Sequence, residues 1–376
     1  MKKLSVLITF LIAFSSVPVA NAKGDIHVSA SSSILIEMQT GEVLFEKSAH
    51  EERAMASITK IMSTLITIES GDLDSEFEVD SNAIKVEGTS MGLTEGDIVT
   101  KRALCYGMLL PSGNDAANAA AVAVGGDIDG FVKMMNKRAE QIGMKNSNFV
   151  TPSGLDANGH YTTAYDMAML TRVALKNPDF TEICSSKTAK VKFGNPPQDR
   201  WLKNSNRMLK AYDGANGVKT GFTDNAGRTL VSSATRNGIT LICVTLRAPN
   251  DWADHQKLLD YGFSKVKREE IEIDYSQLSV DVVGGYSKTV GVLPHREPSA
   301  PVTSKQRGKI EMEIVREQFV YAPVKVGDIV GEIVFKLNGE EVDSISIVAS
   351  SDIDAYIAEQ KESFFDKIKD FLKKLI

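Results

Sequence analysis

Three short patterns follow one another along this chain: Ser57-Ile58-Thr59-Lys60, Ser112-Gly113-Asn114 and Lys219-Thr220-Gly221. Together they supply a hydroxyl nucleophile, an amine to take its proton, a second hydroxyl to relay that proton, and a cation to hold an anion. That is the toolkit of acyl transfer through a serine. On a helix, the i, i+3 spacing sets Lys60 one turn from Ser57 on the same face, within reach of the hydroxyl. A serine at a helix start also has backbone N–H groups and the positive end of the dipole beside a developing oxyanion. Ser-x-x-Lys alone is weak evidence: a second copy at Ser264–Lys267 reads as chance, and Ser57 by itself would read as a helix cap. The other two patterns each occur once, and the order of all three makes the case.

The elements that must position these residues are also legible. Ser33–Met38 and Val43–Phe45 read as strands around Gln39-Thr40-Gly41, a hairpin. A helix is predicted from Ser57 to about Glu69, and others over 100–109, 114–124, 128–143, 165–176 and 252–261. Ser112-Gly113-Asn114 therefore falls at a break between two helices, where side chains can project into a cleft. Lys219-Thr220-Gly221 precedes strand-like sequence, and its glycine lets a substrate backbone lie close alongside. Thr229–Ala234 and Ile239–Leu246 read as strands joined by a tight turn at Arg236-Asn237-Gly238. Strands at both ends with helices between them predict an α+β fold, an antiparallel sheet built from distant segments with helices packed on it.

Beyond Tyr261-Gly262-Phe263 the composition turns to Val, Ile and Thr with frequent turns, such as Gly284-Gly285 and Asn338-Gly339, which predicts a separate all-β module. The last stretch differs again. Phe364, Phe365, Ile368, Phe371, Leu372, Leu375 and Ile376 fall at helical spacing on one face, with Lys367, Lys369, Lys373 and Lys374 on the other. Residues 363–376 are too short to cross a bilayer but suit an amphipathic helix lying at a membrane surface; a helix packed on the β module is the alternative. At the other end, Lys2 and Lys3, an apolar run from Leu4 to Phe14 and Ala20-Asn21-Ala22 read as a secretory leader cleaved after Ala22, with an uncleaved anchor as the alternative.

The formal net charge is −6, and loss of Lys2 and Lys3 with the leader makes the chain more acidic still. This argues against nucleic acid as a partner. The three cysteines, Cys105, Cys184 and Cys243, have no Cys-x-x-Cys spacing; Cys105 and Cys243 read as small buried hydrophobes. The five histidines form no pair on one helix face, so neither a metal site nor a cofactor is expected.

The chain resembles the low-molecular-mass penicillin-binding proteins, the serine-type D-alanyl-D-alanine carboxypeptidases of the penicillin-binding protein 5 group. The likeness rests on the three motifs, on Leu109-Leu110-Pro111 and Asp115-Ala116 around the second, on Gly154-Leu155-Asp156 with Tyr165-Asp166-Met167-Ala168, and on Leu258–Phe263. With aspartate in the middle of its second member, the same motif set is the recognised signature of penicillin-binding proteins and class A β-lactamases; this group commonly carries Ser-Gly-Asn there. The resemblance implies a β-lactamase/DD-peptidase-like fold with a leader at 1–22, a catalytic domain at 23–265, an all-β domain at 266–352 and an amphipathic anchoring helix at 353–376. It implies Ser57 as nucleophile, Lys60 as base and Ser112 as proton relay, with Asn114, Lys219, Thr220, Gly221 and Arg207 binding substrate. The backbone N–H groups of Ser57 and Phe222 would form the oxyanion hole. The expected partner is a peptidoglycan pentapeptide ending in D-Ala-D-Ala, with β-lactams as inhibitors, at the outer face of a bacterial cytoplasmic membrane. An endopeptidase, a cross-linking transpeptidase, a weak β-lactamase and a non-catalytic penicillin-binding scaffold remain as alternatives. The β-lactamase would need a Glu-x-x-x-Asn loop between the second and third motifs, and 115–218 contains none.

Overall fold

The computed structural model describes residues 3–7 and 26–357, apart from 272, 276, 277, 304, 305, 307 and 308. They divide into two compact units: one runs to Arg268 and takes in a short stretch from Pro301, and the other begins at Glu269 and includes β1 (Lys3–Leu7). The rest of the expected leader and the amphipathic tail at 363–376 lie outside the described residues.

In the first unit, β2 (Ser32–Glu37) and β3 (Val43–Lys47) form the expected N-terminal hairpin. A 3-10 turn at Ala56–Thr59 leads into α1 (Lys60–Glu69). Two short strands, β4 (Glu76–Glu78) and β5 (Ile98–Thr100), precede α2 (Lys101–Leu109), whose first turn is capped by Thr100. Then come α3 (Asn114–Gly125), α4 (Ile128–Ile142), α5 (Ala164–Ala174, capped by Thr163) and α6 (Pro178–Ser185, capped by Asn177). A hairpin of β6 (Thr188–Gly194) and β7 (Pro197–Lys203) and the short α7 (Met208–Ala211) follow. The unit closes with β8 (Ala215–Thr223), β9 (Gly227–Arg236), β10 (Ile239–Leu246) and α8 (Asp251–Lys265).

The principal sheet has the order β3-β2-β10-β9-β8, so the N-terminal hairpin lies beside strands some two hundred residues later. Every residue of β10 is buried, because helices cover both of its faces. Alternate residues serve different cores. Ile242 and Val244 join Ile34 and Ile36 against α1 to α6, while Leu241 and Cys243 join Leu35 against Leu258 and Leu259 of α8. All three cysteines are buried and free. The sheet thereby presents β8 as an edge strand, with the first turn of α1 and the α2–α3 junction available to face it.

The second unit is all β. After β11 (Val266–Glu270), which spans the boundary, come β12 (Ser279–Val283), β13 (Thr289–Pro294), β14 (Ser299–Thr303), whose residues from Pro301 count with the first unit, β15 (Ile310–Glu317), β16 (Phe319–Tyr321), β17 (Ile329–Leu337) and β18 (Glu340–Ala349). The larger sheet has the order β1-β15-β17-β18-β13-β12-β16. Its alternating strands bury Val280, Val282, Ile333, Phe335 and Ile345. Ile353 and Ala355 still make isolated bridges, to Val324 and Gly285, so the chain remains in β pairing close to the point where the described residues end. Among the described residues, no helix is long and apolar enough to cross a membrane.

Candidate active site

Ser57 does not open an α-helix, as its spacing suggests, but sits on the 3-10 turn just before α1. Tertiary contacts hold that turn. Ala56 takes a left-handed φ of 52°, and Thr59 Oγ1 donates to Ala56 O at 2.8 Å. Thr229 on β9 donates to Met55 O at 3.0 Å. Gly154, at φ 87°, lies so near that a Cβ there would stand 2.1 Å from Ala56 O. His160 supports the turn from behind: its Nδ1 accepts the Val150 N–H at 2.9 Å, so Nε2 carries the proton and donates to Thr59 Oγ1 at 2.9 Å. Burial pushes the His160 imidazole down to about 4, so it stays neutral in this role.

Lys60 is completely buried, and its Nζ meets three oxygens: Ser57 Oγ at 3.1 Å, Asn114 Oδ1 at 2.7 Å and the Ser153 carbonyl at 2.6 Å. Asn114 is oriented unambiguously, because its Nδ2 donates to Glu87 O at 2.7 Å and leaves Oδ1 for Lys60. As an ammonium, Nζ donates to all three oxygens; once neutral, it keeps two N–H bonds for Asn114 and Ser153 and turns its lone pair to the Ser57 hydroxyl proton. Burial first, then the charge of Lys219, and against them the weaker pull of Asp115, hold Lys60 well below the usual lysine range.

Lys219 is likewise buried, its Nζ donating to Thr220 O at 2.8 Å, and burial lowers it to about 7. The Lys-Thr-Gly motif lies within β8 rather than ahead of it. At Gly221 a Cβ would come 3.0 Å from Ser57 N, so only glycine lets the strand pass this close to the Ser57 turn. Thr220 Oγ1 lies 3.0 Å from Ser205 Oγ. Phe222 is 62% exposed and lines the same groove as Ser57.

Ser112 takes a left-handed φ of 69° at the α2–α3 break. The carboxylate of Asp115 fixes that break to an adjoining loop, accepting from Met91 N, Gly92 N, Leu93 N and Ser90 Oγ. A Cβ on Gly113 would fall 2.6 Å from Asp115 Oδ1 and 2.9 Å from Met91 N, which explains glycine in the middle of the motif.

One cavity of about 450 Å³ brings together Ser57, Ser112, Asn114, Thr220, Gly221, Phe222 and Arg207. Lys60 and Lys219 do not line it, but each is bonded to a residue that does, Lys60 to Ser57 and Lys219 to the Thr220 carbonyl. Three further features had no sequence signal. The Ser153 carbonyl is a backbone group, and Arg228 and Asp251 line the same cavity from β9 and the start of α8.

The family model for D-alanyl-D-alanine carboxypeptidase, peptidase S11, matches residues 18–250, and that for the C-terminal domain of penicillin-binding protein 5 matches 269–355. The chain is 32% identical over 367 residues to D-alanyl-D-alanine carboxypeptidase DacF of Bacillus subtilis, covering 93% of this chain and 94% of that one. It is 30% identical over 363 residues to DacC of Escherichia coli, covering 92% and 88%. The crystal structure of DacD from Francisella tularensis superposes with a TM-score of 0.62 at 28% identity, covering 91% of this chain and 98% of that one. The Streptomyces K15 DD-transpeptidase superposes with a TM-score of 0.62 at 30% identity over 64% of this chain and 99% of its own. A buried lysine held between a serine, an asparagine and a carbonyl at the foot of a sheet-edge groove thus has its counterpart in the sequence relationships: the chain belongs to the S11 family of D-alanyl-D-alanine carboxypeptidases.

Proposed function

We propose that Ser57 and Lys60 carry the carboxypeptidase reaction, on the observation that the buried Lys60 Nζ lies 3.1 Å from Ser57 Oγ and is otherwise held by the Asn114 and Ser153 oxygens. Ser57 Oγ attacks the carbonyl carbon of the terminal D-Ala-D-Ala bond while its proton passes to Lys60. The oxyanion is received by the backbone N–H groups of Ser57 and Phe222, each worth about 2.7–4 kcal/mol in the transition state. As the C–N bond breaks, Ser112 relays a proton from Lys60 to the departing amine. D-Alanine leaves and the acyl group stays on Ser57. Water then adds to the ester, giving up a proton to Lys60, and Lys60 returns that proton to Ser57 Oγ as the acyl C–O bond breaks and the shortened peptide leaves. Asn114 holds Lys60 and the substrate amide; Lys219, Thr220 and Gly221 receive the end of the substrate, with Arg207 as a nearby cation. β-Lactams enter by the same first step.

The test is incubation with a peptide ending in L-Lys-D-Ala-D-Ala. Release of one D-alanine per peptide, lost in Ser57→Ala together with penicillin labelling, is the expected result. Penicillin labelling without D-alanine release would defeat the carboxypeptidase reading. Transfer of the acyl group to an added amine in preference to water would move it toward the transpeptidase named for the Streptomyces neighbour.

On this reading the chain comprises a leader at 1–22, a catalytic domain at 23–265, a β domain at 266–352 and an anchoring helix at 353–376. Export and peripheral attachment to the outer face of the cytoplasmic membrane follow from the leader and from the lysine-backed apolar face of 363–376. Deleting 363–376 should release the protein from membranes with its peptidase activity intact; retention on the membrane would refute the anchor.

A further inference from the structure

The cavity that holds Ser57 contains a second arginine that the mechanism above leaves without a task. Arg228 stands on β9 directly across from Phe222 of β8. Its Nε and Nη2 donate to the two carboxylate oxygens of Asp251, each at 3.0 Å, and its guanidinium lies 5.7 Å from the centre of the Trp252 ring. Asp251 is fixed in turn by the Trp252 N–H at 2.9 Å. The pair is asymmetric: the Asp251 side chain is 3% exposed and that of Arg228 43% exposed, so the positive end faces the cavity shared with Ser57, Ser205 and Thr220.

A guanidinium has five N–H donors in a planar fork, and two of these are spent on Asp251. The others remain for an anion. A carboxypeptidase differs from an endopeptidase in having to read a free carboxylate, and planar bidentate recognition is what arginine supplies and lysine does not. Lys219 is tied to the Thr220 carbonyl beneath the strand and is close to losing its charge at neutral pH. Arg207 lines the cavity too, but it stands exposed at the start of α7, and among the described residues no side chain braces it. Of the two arginines lining the cavity, Arg228 is the one a carboxylate holds in one orientation, so it loses little entropy when an anion arrives.

We propose that Arg228 is the specificity-determining residue that reads the terminal carboxylate of the D-Ala-D-Ala substrate, with Asp251 as its positioning residue. The inference rests on the peptidase reading and deepens it. It assigns to the β9–α8 contact a task that a simple clamp between strand and helix would not have.

The experiment compares diacetyl-L-Lys-D-Ala-D-Ala with its C-terminal amide, and benzylpenicillin with its methyl ester, in the wild type and in Arg228→Gln, Arg228→Lys, Asp251→Asn and Arg207→Gln. Arg228→Gln should lower the acid-to-amide ratio of kcat/KM by roughly 10- to 100-fold, the usual worth of a charge-assisted hydrogen bond, chiefly through KM. Arg228→Lys should lie between, and Asp251→Asn should weaken the discrimination less than Arg228→Gln. The acid-to-ester ratio for penicillin acylation should fall in parallel. A ratio unchanged in Arg228→Gln, an equal loss on both members of each pair, or a collapse confined to Arg207→Gln would overturn the assignment. If the wild type acylates with penicillin yet releases no D-alanine, the peptidase reading fails, and the penicillin pair still decides the role of Arg228.

Discussion

Replacing Asn114 by Asp changes one group of the site by a single atom and puts a negative charge against Lys60. Nδ2, which now donates to Glu87 O, becomes an acceptor facing another acceptor, while the other oxygen stays 2.7 Å from Lys60 Nζ. At that separation, with an effective dielectric of ~20, a carboxylate and an ammonium attract by roughly 6 kcal/mol. Expressed in full, this would raise the proton affinity of Lys60 by about four pH units, and after local relaxation by about two at least. The amine that must be neutral is then protonated at neutral pH. Second-order acylation by a fluorescent penicillin should fall about 100-fold or more at pH 7 and recover toward wild type as the pH is raised, because the acid limb has moved and the nucleophile has not changed. Thermal unfolding across the same pH range separates this effect from loss of fold. A variant that keeps the wild-type pH profile, or loses activity equally at every pH, would refute Lys60 as the base.

Three other outcomes follow from the geometry. Gly154→Ala puts a methyl 2.1 Å from Ala56 O at a left-handed φ, so it should cost at least about 2 kcal/mol in denaturant unfolding and slow acylation sharply; wild-type behaviour in both assays would mean the loop does not brace the nucleophile's turn. His160, held near 4 in the fold against about 6.5 unfolded, takes up its proton in the unfolded chain first, so stability is lost as pH falls from about 6.5 to about 4. That loss amounts to about 3 kcal/mol, and His160→Gln should flatten this part of the curve; an unchanged slope in chemical denaturation would contradict it. Lys219 needs its charge to meet an anion, so kcat/KM should decline as pH rises through about 7, while folding stability increases over the same interval because only the unfolded chain still holds the proton. An alkaline limb absent between pH 6 and 9 would show that a charged Lys219 is not required.

How far the sequence reveals the site depends on which atoms do the work. Ser57, Lys60, Ser112, Asn114 and Lys219 are legible because their chemistry resides in side chains at fixed local spacing, and the cavity gathers the groups around them. Ser153 contributes a carbonyl, which any residue type would provide, so no pattern marks it. Arg228 and Asp251 are 23 residues apart on different elements and become a pair only once β9 and α8 pack. The fold follows the same logic. Strands β2, β9 and β10 carry apolar runs that announce them, whereas β7 is almost wholly exposed and has no alternation to read. The 3-10 turn at Ser57 departs from the expected helix because Thr229 binds the Met55 carbonyl and His160 binds the Thr59 hydroxyl, contacts that are both remote in sequence, while Thr59 itself bonds back to Ala56 O.

Lys60 and Lys219 rank among the largest fully buried side chains of the chain, beside phenylalanines and isoleucines. Stability alone argues against this, since an unpaired buried ammonium is costly and neither lysine has a carboxylate within ion-pair distance among the described residues. The fold meets that cost by lowering both proton affinities and by giving Lys60 two oxygens for its two N–H bonds. A core built only to fold would place apolar side chains in these positions. Two buried amines whose proton affinities the fold lowers are instead what the proposed reaction asks for, one to take the serine's proton and one to receive the substrate's charge, so the positions where the sequence breaks the rules of burial are those the proposal assigns to chemistry.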